Sequence, residues 1–126
     1  MCDVRTVLII EDDDDLRRMF RTSLAFAGFR VLEAADGYSA LHRLEDALPD
    51  AIVLDLDLPI VNGHVIRAEL AASAEKRHIP IIVVTGTHIN AMTPRVACLL
   101  QKPVSPEDLV RTVRRCLAAP TERAGS

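Results

Sequence analysis

The sequence predicts an α/β domain built on a parallel sheet. Short apolar runs alternate along the chain with segments of helical period, the pattern of repeated strand-helix units. The runs are Val, Ile and Leu without polar alternation, as in Ile81-Ile82-Val83-Val84, which suits strands covered on both faces. The chain is 49% apolar but only 3% aromatic, so its core is aliphatic, and its 126 residues suffice for one domain.

The elements follow in order. Val7-Leu8-Ile9-Ile10 is the first strand. Leu16, Met19, Phe20 and Leu24 then repeat at i, i+3, i+4 and i+8, one face of a helix, and Gly28 stops that helix. Arg30–Ala34 is a short second strand, and Asp36-Gly37 is a turn. Ala40, Leu41 and Leu44 mark a second helix, closed by Pro49. Ala51–Leu54 is the third strand. The loop Pro59–Gly63 leads to a third helix carrying Val65, Ile66 and Leu70. Ile81–Thr85 is the fourth strand. Few apolar residues occupy Gly86–Cys98, and Pro94 interrupts it, so the helix after the fourth strand is short or missing. Leu99-Leu100-Gln101 is the fifth strand. The last helix carries the clearest start signal: Ser105 as N-cap, Pro106 at the first helical position, and Glu107 and Asp108 in the first turn. Leu109, Val110, Val113 and Leu117 give it a core face. The reading therefore assigns residues 1–118 to one domain and 119–126 to a flexible tail.

Composition excludes several function classes. A net charge of −3 argues against a nucleic-acid surface. No apolar run approaches the roughly 20 residues of a membrane span, and the start has no signal-peptide pattern, so a cytoplasmic protein is expected. Cys2, Cys98 and Cys116 are an odd set without metal-ligand spacing, read as free thiols. His42, His64, His78 and His88 are scattered and read as surface polar residues.

Chemistry collects where the apolar runs end. The first runs into Glu11-Asp12, the third into Asp55, the fourth into Thr85-Gly86 and the fifth into Lys102-Pro103. In neighbouring parallel strands these residues meet at the carboxyl edge of the sheet, where open α/β sheets bind ligands. Glu11 to Asp15 is a run of five acids. A solvated charge run is the usual meaning of such a stretch. Its place after a buried strand instead assigns Glu11 and Asp12 to the ligand edge, with Asp14 and Asp15 serving the first helix start. Three carboxylates held together repel unless a cation joins them, and an all-oxygen set selects Mg²⁺ or Mn²⁺. Asp55 is then a candidate nucleophile toward phosphorus. Thr85, Lys102 and the amide of Gly86 are candidate contacts for the phosphoryl oxygens.

The motifs VLIIEDD, VLDLDLPIVNG, VVTG and QKPVSPEDL, in that order, resemble the receiver domain of two-component response regulators over about residues 5 to 118. The resemblance implies a flavodoxin-like, doubly wound five-stranded parallel sheet of order 2-1-3-4-5 with helices on both faces. It implies Asp55 as phosphoacceptor, Asp12 as a direct Mg²⁺ ligand and Glu11 as one acting through water. It implies the carbonyl of Asp57 as a further ligand, Thr85 and Lys102 as phosphoryl contacts, and a cis Lys102-Pro103 bond. The implied donor is a histidine kinase or a histidine phosphotransfer protein, and the implied output is protein binding by a monomer or weak dimer. The only reactions expected of the chain are its own phosphorylation and dephosphorylation.

Two features depart from the family pattern. Positions 85 and 102 are only 17 apart, shorter than usual, and Leu99 stands where the family often has Tyr or Phe. Both touch the signalling face, so retained phosphorylation with altered output is expected. A pseudo-receiver without phosphotransfer is one alternative, and it would lack a saturable divalent site. A haloacid-dehalogenase-like phosphatase, suggested by Asp55-Leu56-Asp57, is another. It lacks that family's acidic pair after the Lys and would turn over a phosphate ester.

Overall fold

The computed structural model describes residues 4–56, 58, 63–86 and 98–118. Five parallel strands form one sheet: β1 (Thr6–Ile10), β2 (Arg30–Ala34), β3 (Ala51–Asp55), β4 (Ile81–Thr85) and β5 (Cys98–Gln101). Their order is β2-β1-β3-β4-β5, as expected. Four helices are described: α1 (Asp14–Phe26), α2 (Gly37–Asp46), α3 (Gly63–Ala72) and α4 (Pro106–Ala118).

Strand alternation sorts the apolar side chains into two cores. Val7, Ile9, Val53, Ile82 and Val84 face Phe20 and Leu24 of α1 and Leu109 and Val113 of α4. Leu8, Ile10, Ile52, Leu54 and Val83 face Ala40 and Leu44 of α2 and Ile66 and Leu70 of α3. The sheet is therefore covered on both sides, which is why its strands carry no polar alternation. All these residues are fully or nearly fully buried. Each larger one contributes about 1.5–3 kcal/mol of transfer free energy.

Helix ends follow local chemistry. Asp13 is the N-cap of α1, its Oδ1 accepting from the Leu16 amide at 2.9 Å. At the other end the Phe29 amide donates to Leu24 O and the Gly28 amide to Ala25 O, both at 3.0 Å. This is a Schellman motif, and Gly28 takes its left-handed position at φ 103°. Ser105 caps α4 as expected, its Oγ accepting from the Asp108 amide at 3.1 Å.

One local expectation needs correction. Asp36-Gly37 is not a separate turn: Asp36 is the N-cap of α2, accepting from the Ser39 amide at 2.8 Å, and Gly37 is the first helical residue. On α3, Ile66 and Leu70, at i and i+4, take the buried face, and Val65 is 45% exposed. The expected short or missing helix after β4 and the tail at 119–126 lie outside the described residues. So do Asp57, His88 and the side chain of His64. His42 and His78 are exposed, as expected. Among the described residues no helix is long and apolar enough to cross a membrane.

Candidate functional site

Sheet register brings the polar strand ends together. Ile10 pairs with Leu54, so Glu11 and Asp55, the next residues, stand level on adjacent strands. Asp55 pairs with Val84 and Thr85 with Gln101, which staggers Thr85 and Lys102 one residue further along β4 and β5. Backbone bonds continue the ladder past the strands: the Leu56 amide donates to Val84 O at 3.1 Å, and the Lys102 amide to Thr85 O at 2.9 Å. The Lys102-Pro103 bond is cis.

At this edge Glu11, Asp12 and Asp55 each offer a carboxylate oxygen, and the three atoms lie within 4.8 Å of one another. Glu11 and Asp55 are each only 1% exposed, whereas Asp12 is open to solvent. Lys102 Nζ lies 3.4 Å from Asp55 Oδ2 and 3.8 Å from Glu11 Oε1. One ammonium thus faces two buried carboxylates, with a third carboxylate beside them. Thr85 is buried next to them, and Gly86 is exposed immediately after it.

Glu11 shows the imbalance most clearly. Burial pushes its carboxyl up to about 8, and the charge of Asp55 adds to the rise. The Asp13 amide, donating to Glu11 Oε2 at 3.2 Å, and the Lys102 charge act the other way without cancelling it. Glu11 Oε1 is buried with no hydrogen-bond partner among the described residues. A buried, unsatisfied carboxylate oxygen beside two more carboxylates is the chemistry of a hard-cation site. The donor set therefore fits Mg²⁺ or Mn²⁺.

The structure brings together Glu11, Asp12, Asp55, Thr85, Gly86 and Lys102. It adds Arg17, which sequence reasoning missed. Its Nη1 donates to Glu11 O at 2.9 Å, its Nη2 pairs with Asp14 at 2.6 Å, and its Nε pairs with Glu33 at 3.2 Å. Arg17 thus ties the β1–α1 turn to β2 and positions the acids. The available signal was its i+3 spacing from Asp14.

A five-stranded sheet in this order, with acids and a lysine at its carboxyl edge, defines a class. The model of the response regulator receiver domain matches residues 7–114, and the chain belongs to that family. Among curated relatives, it is 31% identical over 118 residues to the probable transcriptional regulator ycf27 of Porphyridium aerugineum, covering 88% of this chain and 47% of that protein. It is 28% identical over 118 residues to the polar-differentiation response regulator DivK of Brucella anthropi, covering 90% of this chain and 96% of that protein. The chain thus spans about half the length of the ycf27 relatives and nearly all of DivK. A response-regulator structure from Chloroflexus aurantiacus superposes with a TM-score of 0.85 at 30% identity, covering 93% of this chain and all of that one. The receiver domain of a Pseudomonas aeruginosa sensor histidine kinase, solved with magnesium coordinated in its active-site cleft, gives 0.84 at 27% identity, with 93% and 100% covered.

Proposed function

We propose that Asp55 accepts a phosphoryl group from the phosphohistidine of a histidine kinase or histidine phosphotransfer protein, in a reaction that requires Mg²⁺ or Mn²⁺. The observation that carries this reading is the pairing of Asp55 with Lys102 at 3.4 Å inside a cluster that also holds Glu11 and Asp12. Asp12 and Asp55 would hold the cation directly and Glu11 would assist through water, with the carbonyl of Asp57 as the further ligand that the family pattern implies. When bound, the cation neutralises charge on the phosphoryl oxygens.

The chain's own residues do the rest. A carboxylate oxygen of Asp55 attacks phosphorus in line with the departing imidazole. The new O–P bond forms as the P–N bond breaks, and the imidazole leaves with its electron pair and takes up a proton. Lys102 exchanges its contact with Asp55 for one with a phosphoryl oxygen. The Thr85 hydroxyl and the Gly86 amide donate to the other oxygens. Hydrolysis of the acyl phosphate later returns Asp55 to its carboxylate. These two reactions on itself are the only catalysis assigned to the chain.

The output is protein binding by a cytoplasmic monomer or weak dimer, without nucleic-acid contact by residues 1–118. A leucine packed against the core at position 99 supports an output that does not use rotation of an aromatic ring. The test is phosphorylation by acetyl phosphate with and without Mg²⁺, read by intact mass. One phosphoryl group per chain is expected, lost in Asp55→Asn and in excess chelator. A normal phosphoprotein signal from Asp55→Asn would overturn the assignment.

A further inference from the structure

A second reactive cluster lies away from the acidic edge. Cys98 opens β5 and Cys116 stands in the last turn of α4. Their Sγ atoms are 2.9 Å apart. That is inside the roughly 3.5–4.0 Å of ordinary contacts between carbon atoms, and sulfur is larger than carbon. Both are thiols, and both belong to the core between the sheet and helices α1 and α4. Cys98 is half-buried, whereas Cys116 is only 6% exposed.

We propose that Cys98 and Cys116 form a reversible intramolecular disulfide when the protein meets a hydroperoxide. The Cys98 thiolate attacks the peroxide oxygen, the O–O bond breaks, and an alcohol or water leaves. This gives a sulfenic acid on Cys98. The Cys116 thiolate then attacks that sulfur, the S–O bond breaks, and water leaves with the remaining proton. Two thiols and one hydroperoxide thus yield one disulfide, one alcohol (or water) and one water; the two sulfurs supply the two electrons that the peroxide takes. Reaching a bond of about 2.05 Å requires the sulfurs to approach by only about 0.9 Å.

Accessibility sets the order of attack. The half-buried thiol meets the oxidant, and the buried one resolves the sulfenic acid before it oxidises further. The closed ring spans 98 to 116 and includes Lys102. The bond therefore ties the strand that presents Lys102 to α4, although the proposal does not depend on the phosphoryl chemistry. A partly buried thiol with a second thiol in contact is the arrangement of thiol pairs that respond to oxidants in reducing compartments.

The experiment uses the full chain with Cys2→Ser, leaving the two thiols in question, treated with hydrogen peroxide. Expected are an intact mass lower by two hydrogens, loss of both titratable thiols, and recovery of both with dithiothreitol. Trypsin should release residues 96–111 joined to 116–123. The thermal midpoint should rise by on the order of 10 °C, because the bond constrains the unfolded chain. Cys98→Ser should give no linked peptide and no rise. Stepwise addition of oxygen without a linked peptide in the Cys2→Ser protein would overturn the proposal, as would joining of Cys98 to Cys98 between chains. The mass and peptide readouts in the Cys2→Ser protein do not require the Cys98 variant to fold.

Discussion

Raising the pH of the metal-free protein lowers its stability, and Glu11 is the main reason. Its carboxyl moves from an ordinary value of 4.5 to about 8 in the fold, because burial and then the Asp55 charge oppose ionisation. Between those values the folded protein keeps a proton that the unfolded chain has released. The stability that the neutral carboxyl provides is therefore fully present below about 4.5, falls as pH rises, and is gone above about 8. The slope across that window is about 1.36 kcal/mol per pH unit, so a step from about pH 6 to about pH 7.5 removes about 2 kcal/mol. At roughly 4 °C per kcal/mol for a domain of this size, the thermal midpoint drops by about 8 °C. The assay is thermal unfolding by circular dichroism in chelator at both pH values, for the native chain and for Glu11→Gln. The variant keeps the side-chain shape without the titration, so the difference between the two isolates Glu11 from other groups. Saturating Mg²⁺ should stabilise the native chain more at the higher pH, because a cation at the site favours the ionised form of the Glu11 carboxylate beside it. Equal pH dependence in the native chain and Glu11→Gln would refute the reasoning.

Three further outcomes follow from the same geometry. Asp55→Asn removes the charge that raises Glu11, so near pH 7.5 the metal-free variant should gain about 1 kcal/mol in denaturant titration while its Mg²⁺ affinity, read by calorimetry, falls at least about tenfold. Lys102→Gln removes the cation 3.4 Å from Asp55 and 3.8 Å from Glu11. It should lower metal-free stability by about 1–2 kcal/mol and slow phosphorylation by acetyl phosphate, and an unchanged rate would remove Lys102 from the site. A Cβ added at Gly28 meets nothing within 4 Å, so Gly28→Ala tests the backbone alone. Its φ of 103° should make the change destabilising by about 1 kcal/mol, measured as a lower urea midpoint at constant slope.

Much of the site was legible because each strand is an uninterrupted apolar run whose end is marked by its first polar residue. Glu11, Asp55, Thr85 and Lys102 stand at such ends, and parallel pairing brings them to one edge, Glu11 level with Asp55 and the other two staggered beyond. The helix caps were harder to read. Among five consecutive acids nothing in the sequence singles out Asp13 as the N-cap, since all of them suit a helix N-terminus. Val65 and Ile66 are adjacent apolar residues, and only one of two neighbours can share the face of Leu70; Ile66 is the one that joins the core cluster. The raised proton affinity of Glu11 was hidden as well: it comes from burial and from the charge of Asp55 on a neighbouring strand, neither of which a run of acids announces. The Cys98–Cys116 contact was invisible for the same reason: it arises only when α4 folds back beneath β5, and neither residue lies in a recognisable spacing.

The most direct measurement is chemical mapping of the phosphorylated residue. The chain, phosphorylated by acetyl phosphate in Mg²⁺, is reduced with borohydride, which converts an aspartyl phosphate to homoserine, and its peptides are sequenced by mass spectrometry. Homoserine at position 55, absent without Mg²⁺, is the predicted result. Homoserine at Asp12 or another acid, or an unmodified Asp55 after full exposure to donor and metal, would contradict the assignment of Asp55 as the phosphoacceptor.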